Sequence, residues 1–267
     1  MRQTLGYFCY HGCMSTNTEH SSQKSFILFD LDNTLAESKM PLEAEMSRLF
    51  LLLLKQKQVG VISGCSFKQF KKQFLSCLSN DSKLLASLYI LPTCGAAMYR
   101  YENDTWQNMY EETLTESDTQ DIMDAFERAI DEAQFKKQKI YGDVFENRGT
   151  QITFSALGQE APLAKKRLWD PDYQKRTLIK KSLDALLPEF EIRIGGTTSI
   201  DITRKGIDKG YGVRQINGYL NISPKDILFI GDALFEGGND YPVKKAGVEC
   251  IAVSGPKDTK RAIGSLL

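Results

Sequence analysis

The chain has 267 residues, 42% of them hydrophobic and 25% charged, and its 34 Lys+Arg balance 34 Asp+Glu to a formal net charge of zero. That length holds one large domain or two modest ones. The balance lacks the basic excess of a protein that wraps nucleic acid, and no apolar run approaches the roughly 18 residues of a membrane span, so neither partner is expected.

Met1–Ser22 is polar, without the apolar core of a signal peptide, and reads as a flexible tail over residues 1–22 in which Met14 is a second possible start. The six cysteines, Cys9, Cys13, Cys65, Cys77, Cys94 and Cys250, show no paired spacing. Reduced thiols and a cytoplasmic location are expected. Cys9, His11, Cys13 and His20 cluster in the tail but lack the two spaced dyads of a zinc site.

Ser25–Phe29 is a continuous apolar run ending at Asp30, the pattern of a buried parallel strand. Pro41 opens a helix with Leu42, Met46, Leu49, Phe50 and Leu53 at helical spacing. Val59–Ile62 is a second strand, ending at Ser63–Gly64. Ser66 caps a second helix, with Phe67, Phe70, Phe74 and Leu78 on one face. Leu88–Leu91 is a third strand. This is the β-α-β-α-β order of a doubly wound sheet.

The rhythm then changes. A hairpin turns around Glu102–Asp104, a long amphipathic helix covers about 116–135, and strands Ile152–Leu157 and Phe190–Ile194 flank a helix near 173–187. Ser199–Thr203 adds a strand. From Asp208 the α/β order returns, with a helix over 208–219, strand Asp226–Ile230, a short helix near 239–246 and strand Cys250–Val253. The expected architecture is an α/β core of residues 23–93 and 203–267, interrupted by an α+β cap over 94–202. Pro92, Gly95 and Gly206 sit near the crossings as hinge candidates.

Ligands of open α/β sheets bind outside the carboxyl ends of the strands. Asp30 and Asp32 stand at one such end, two residues apart, where extended geometry points both side chains the same way. Asp232 ends another strand, ahead of Asn239 and Asp240. Carboxylates gathered in this way call for a hard cation, and Mg²⁺ takes oxygen ligands while leaving positions for water and phosphate.

Phe29-Asp30-Leu31-Asp32-Asn33-Thr34-Leu35 resembles the first motif of the haloacid dehalogenase (HAD) superfamily. Val61-Ile62-Ser63-Gly64 resembles the second, Lys209 within Gly206–Gly210 the third, and Gly231-Asp232 through Asn239-Asp240 the fourth. The four occur in order. The insert resembles a C2b cap, giving a HAD-like Rossmannoid core with a parallel sheet. Glu146–Gly149, Ile194–Asp201 and Phe229–Asp240 are similar to eukaryotic-type phosphomannomutases and related sugar-phosphate phosphatases.

The resemblance implies a set of roles. Asp30 is the nucleophile that becomes an aspartyl-phosphate. Asp32 is the general acid and base. Ser63 and Lys209 hold the phosphoryl oxygens. Mg²⁺ is bound by Asp30, the Asp32 carbonyl and Asp232, with Asn239 and Asp240 behind it. Arg148, Ser199 and Asp201 bind the substrate, and the protein works as a monomer or homodimer on a small phosphorylated molecule.

A mutase must also grip the phosphate that is not being transferred. The family pattern uses several basic residues for this. Here Tyr141 and Gln159 stand where it has basic residues, Lys39 replaces an Arg, Asn33 replaces a Gly, and Thr93-Cys94-Gly95 departs from Glu-Asn-Gly. These departures favour hydrolysis of a sugar phosphate. The alternative is interconversion of mannose 1-phosphate and mannose 6-phosphate. A non-catalytic role is disfavoured, since Asp30, Asp32 and Asp232 are all present.

Overall fold

A computed structural model describes residues 24–133 and 138–267. The N-terminal tail, with Met14 and the Cys9–His20 cluster, lies outside these residues. Strands β1 (Phe26–Asp30), β2 (Gln58–Ile62) and β3 (Leu88–Leu91) alternate with helices α1 (Ala44–Leu54), α2 (Phe67–Gln73) and α3 (Ser82–Leu85). The chain returns after the insert as α7 (Lys209–Leu220), β10 (Ile227–Gly231), α8 (Tyr241–Lys245), β11 (Glu249–Ala252) and α9 (Pro256–Leu266). Strands β11, β10, β1, β2 and β3 lie side by side, each parallel to its neighbour.

Alternation along β1 explains the layering. Ile27 and Phe29 face α1 and α2, where they pack with Met46, Phe50, Phe70 and Phe74. Phe26 and Leu28 face the other side and pack with Val213 and Ile216 of α7. Both faces of the strand are therefore covered, as a parallel sheet requires. All of these side chains are fully buried; truncating Phe50 to alanine should cost about 3–5 kcal/mol.

After β3 the chain turns at Thr93, Cys94 and Gly95, all with positive φ, and doubles back as β4 (Ala97–Glu102) and β5 (Thr105–Glu111). The sequence reading groups this hairpin with the cap. Hydrogen bonding instead adds it antiparallel to β3, making the large sheet seven-stranded in the order β11-β10-β1-β2-β3-β4-β5. A Cβ at Gly95 would lie 2.5 Å from the Cα of Gly212, so this turn packs backbone to backbone on α7.

The insert proper holds α4 (Glu116–Ala133), β6 (Phe145–Asn147), β7 (Gln151–Ser155), α5 (Leu163–Trp169), α6 (Gln174–Leu186), β8 (Phe190–Gly195) and β9 (Ser199–Arg204). Its four strands form an antiparallel sheet, β6-β7-β9-β8. One face carries Ile152, Phe154, Ile200 and Ile202 and is covered by Ile122 and Phe126 of α4 and Ile179 and Leu183 of α6. The other face is polar, carrying Thr153, Ser155, Ser199 and Asp201.

The crossings between the two sheets are tied together. Arg204, at the end of β9, donates to the Thr113 carbonyl at 3.3 Å and pairs with Asp118 at 2.5 Å. Tyr211 donates to the Glu112 carboxylate at 2.5 Å. Among the described residues no helix is long and apolar enough to cross a membrane.

Candidate active site

Strand order reverses at β1: the chain moves from β1 to β2 and β3 on one side, and β10 lies on the other. Ligand sites form at such reversals. Asp30 ends β1 and Asp232 follows β10, so the register that pairs Phe29 with Ile230 brings their carboxylates together. Asp240 joins them. Ligand oxygens of Asp30, Asp232 and Asp240 lie within 4.8 Å of one another.

Lys209 opens α7, where the Asp208 side chain caps the helix by accepting from the Tyr211 N–H at 2.8 Å. That start aims the lysine inward. Its Nζ donates to Asp30 Oδ1 and to Asp240 Oδ1, each at 2.5 Å, and it is fully buried. The other oxygen of Asp240 accepts from the Ala233 N–H at 2.9 Å. A Cβ at Gly231 would come within 2.4 Å of that oxygen, which fixes glycine before Asp232.

Burial pushes the Asp30 carboxyl up to about 7; Lys209 opposes this, while the charges on Asp240 and Asp232 add to it. Asp232 is raised by burial and then by Asp240. Burial disfavours the Lys209 ammonium, yet Asp30 and Asp240 outweigh it and raise its pKa. Three carboxylates with one cation hold excess negative charge in a dry site, an all-oxygen donor set that fits a hard divalent ion.

Asp32 lies apart from this cluster. Its Oδ1 accepts from the Lys39 N–H at 2.7 Å and from Gln73 Nε2 at 3.1 Å. Ser63 is buried beyond the end of β2, its Oγ accepting from the Cys65 N–H at 3.2 Å and its hydroxyl lying against the Cys65 side chain. Asn239 is exposed and lines a cleft of about 900 Å³ that reaches Lys209, rather than packing behind the carboxylates as Asp240 does.

The cap residues meet this site from above. Arg148 donates to the Gly64 carbonyl at 3.0 Å and pairs with Glu146 at 2.8 Å, while its buried Nε has no partner among the described residues. The Thr150 hydroxyl donates to that of Thr93 at 2.7 Å. Asp201 pairs in register with Thr153 and Arg193 and accepts from the Thr153 hydroxyl at 2.8 Å. Burial raises its pKa; the charges of Arg148, Lys39 and Arg193 oppose that. Ser199 sits two residues before Asp201 in β9, half-buried beside Gly195.

Several residues here were not singled out from the sequence. Lys166 of α5 donates to the Gln159 carbonyl at 2.9 Å, and its pKa is lowered first by burial and then by the charge of Lys39. The charge of Lys39 thus acts on Lys166, and those of Lys39, Arg148 and Arg193 act on Asp201, with Glu146 paired to Arg148 and Glu191 3.8 Å from Arg193. Gln159 Nε2 is buried without a partner among the described residues. Tyr141 packs instead in a small cluster with Leu157 and Trp169, its hydroxyl bonded to Lys165. Arg176 is 1% exposed; it pairs with Asp170 at 2.7 Å and donates to the carbonyls of Gly195 and Gly196, fixing the turn that presents Ser199. No motif marks Lys166 or Arg176, since their partners come from elements distant in sequence.

A family model described as eukaryotic phosphomannomutase matches residues 46–267. A phosphomannomutase of Encephalitozoon cuniculi is 26% identical over 251 residues, covering 92% of this chain and 94% of that protein. Among solved structures, a truncated IMP-nucleotidase of Plasmodium falciparum superposes with a TM-score of 0.69 at 18% identity, over 94% of this chain and 71% of that one. A haloacid dehalogenase-like hydrolase of Bacteroides thetaiotaomicron superposes with a TM-score of 0.63 at 15% identity, over 91% of this chain and 100% of that one. The two structures speak to the fold alone.

Proposed function

The chain belongs to the eukaryotic phosphomannomutase family, and we propose from that premise that it is a hexose-phosphate mutase, moving a phosphoryl group between the two ends of a sugar by way of Asp30. The observation that carries this reading is the cationic space between cap and core. A bisphosphorylated sugar needs two anion sites, and one lies at Ser63 and Lys209. Lys39, Arg148 and Lys166 supply the charge for the other. The sequence reading counts Gln159 as a loss of charge there; Lys166 Nζ, 2.9 Å from the carbonyl of that same residue, supplies it from α5.

The chemistry follows from positions. An Asp30 oxygen attacks phosphorus while Asp32 gives its proton to the departing sugar oxygen, so the P–O bond to the sugar breaks as the bond to Asp30 forms. A hexose monophosphate then gives the proton of its free hydroxyl to Asp32 and takes the phosphoryl group from Asp30, forming a bisphosphate. The bisphosphate turns over beneath the cap, held through the phosphate that is not being transferred, and the first step repeats at its other end to release the isomer. Lys209 and Ser63 donate to phosphoryl oxygens, where charge gathers in the transition state. Asp30, the Asp32 carbonyl and Asp232 would hold Mg²⁺, which when bound supplies the positive charge that lets a carboxylate approach a phosphate. Asp201 and Ser199 offer hydrogen bonds to sugar hydroxyls.

Hydrolysis is the second reading, favoured by the uncharged Tyr141 and Gln159. The two separate in one experiment. Mannose 1-phosphate is supplied with Mg²⁺ and a catalytic amount of hexose 1,6-bisphosphate, and both mannose 6-phosphate and free phosphate are followed. The mutase reading expects the isomer in excess over phosphate. Free phosphate with no isomer would replace it with the hydrolase.

A further inference from the structure

Gln73 stands at the C-terminal end of α2, is 2% exposed, and belongs to no motif of the sequence. Its Nε2 donates to Asp32 Oδ1 at 3.1 Å. Its Oε1 accepts from Gln69 Nε2 at 3.1 Å, one helical turn earlier. The two bonds agree with each other: Oε1 accepts from Gln69 while the NH₂ group faces Asp32. The backbone is held too, since the Gln73 carbonyl accepts from the Leu42 N–H at 3.0 Å and the flanking Phe70 and Phe74 are fully buried. Ser66 caps the start of the helix by accepting from the Gln69 N–H.

Asp32 takes its other donor from the main chain of Lys39, a residue at φ 62°. Both donors land on the same oxygen, Oδ1. Oδ2 has no hydrogen-bond partner among the described residues. A carboxyl gripped by one oxygen from two directions cannot rotate without breaking a bond, so the other oxygen is held in one orientation. A side chain that gives and takes a proton works only within hydrogen-bond reach of the reacting oxygen, and holding it there is worth more than merely having it nearby.

We propose that Gln73, oriented by Gln69, is a positioning residue that holds Asp32 so that its Oδ2 delivers a proton to the sugar oxygen leaving phosphorus. This rests on the reading of Asp32 as general acid. In the step concerned, the Asp30–phosphorus bond forms, the phosphorus–sugar oxygen bond breaks with its electron pair going to that oxygen, and the Asp32 proton moves onto it.

The test exploits leaving groups. A sugar alkoxide must be protonated as it departs, whereas p-nitrophenolate leaves as the anion. Single-turnover experiments with enzyme in excess isolate this first step, following sugar release from a hexose phosphate and p-nitrophenolate release from p-nitrophenyl phosphate. Gln73→Met keeps the volume and removes the donor. It should slow sugar release about 10- to 100-fold, part of the ~10²–10⁴ that a general acid contributes, and slow p-nitrophenolate release less than about 3-fold. Gln69→Met should show the same selectivity to a smaller degree. Asp32→Asn is the reference. If it discriminates strongly between the two leaving groups and Gln73→Met slows both equally, Gln73 is a packing residue and the inference fails. If Asp32→Asn itself slows both equally, the assignment of Asp32 as the acid fails instead, and the Gln73 inference with it. Thermal melts of Gln73→Met and Gln69→Met within a few degrees of the parent protein establish that the rates report a folded enzyme.

Discussion

Lys209 Nζ sits 2.5 Å from an oxygen of Asp30 and 2.5 Å from an oxygen of Asp240, joining residues 179 and 31 positions away in the chain. The ammonium is shared between the proposed nucleophile and a carboxylate whose other oxygen is held by the Ala233 N–H. Asp240 therefore anchors the lysine, and the lysine holds Asp30. Removing the cation leaves two buried carboxylates beside Asp232. Lys209→Met should lower stability by about 3–5 kcal/mol, the range for a buried pair that loses one partner. Denaturant unfolding of the two proteins at neutral pH measures it, and a difference below about 1 kcal/mol would show the site to be wetter than its burial indicates.

Asp30→Asn keeps the shape and an acceptor for Lys209 while removing the anionic nucleophile. Turnover should fall by at least about a thousandfold with the melting temperature nearly unchanged. Trapping of labelled phosphate on the protein, present in the parent and absent in Asp30→Asn, is the direct check.

Chelation should abolish turnover, and added Mg²⁺ should restore it, because the Asp30–Asp232–Asp240 cluster is all oxygen. Asp232→Ala should raise the Mg²⁺ concentration needed for half-maximal rate by about 10-fold or more, or end activity. Undiminished turnover in excess chelator contradicts the donor-set argument.

Lys166→Ala removes one of the cations between cap and core. It should weaken hexose 1,6-bisphosphate binding by roughly 10- to 100-fold, the worth of one charge-assisted hydrogen bond. Turnover of p-nitrophenyl phosphate, which has no second phosphate, should change little. Gln159→Arg should raise the ratio of isomer to free phosphate. Equal loss on both substrates in Lys166→Ala would mean that α5 only shapes the cap.

Arg176 and Asp170 make a buried pair inside the cap. Burial alone would raise the Asp170 pKa; the Arg176 side chain and the N–H groups of Lys175 and Arg176 outweigh it and hold it below the ordinary carboxylate range. A lowered carboxyl contributes stability that is fully present above its unfolded pKa and is lost as pH falls through its folded pKa. Arg176→Met should therefore destabilise by about 3–5 kcal/mol near pH 7. The gap between variant and parent should narrow below about pH 4, where the unfolded Asp170 begins to protonate. Melts across that pH range give both numbers.

Much of this was legible in the sequence, for physical reasons that differ by element. Strands β1, β2 and β3 are short apolar runs because both their faces are covered, and α4 shows its helix through one apolar stripe. The pattern of β4–β5 shows a hairpin but not its sheet, because local pattern cannot say which sheet an edge strand joins. Strand β6 is three residues long and leaves no periodicity. Helix α9 opens on Pro256, an ordinary start signal. In the candidate site, Asp30, Asp232, Asp240 and Lys209, which the structure brings together, each sit at a strand end or a helix start within a recognisable motif. Gln73, Lys166 and Arg176 carry no such mark. Each matters through a partner on a different element, and spacing along one element carries no trace of that.

Arg204 gives the insert a mechanical character. The outgoing chain at Thr113 and the returning chain at Arg204 are fastened to each other by the guanidinium, with Asp118 as a second anchor. Two struts joined near their base resist splaying apart. A pair of spectroscopic labels, one on each sheet and away from the crossings, would report any change of angle between the sheets. Cutting the bolt with Arg204→Ala would let the distances between different label pairs vary out of step.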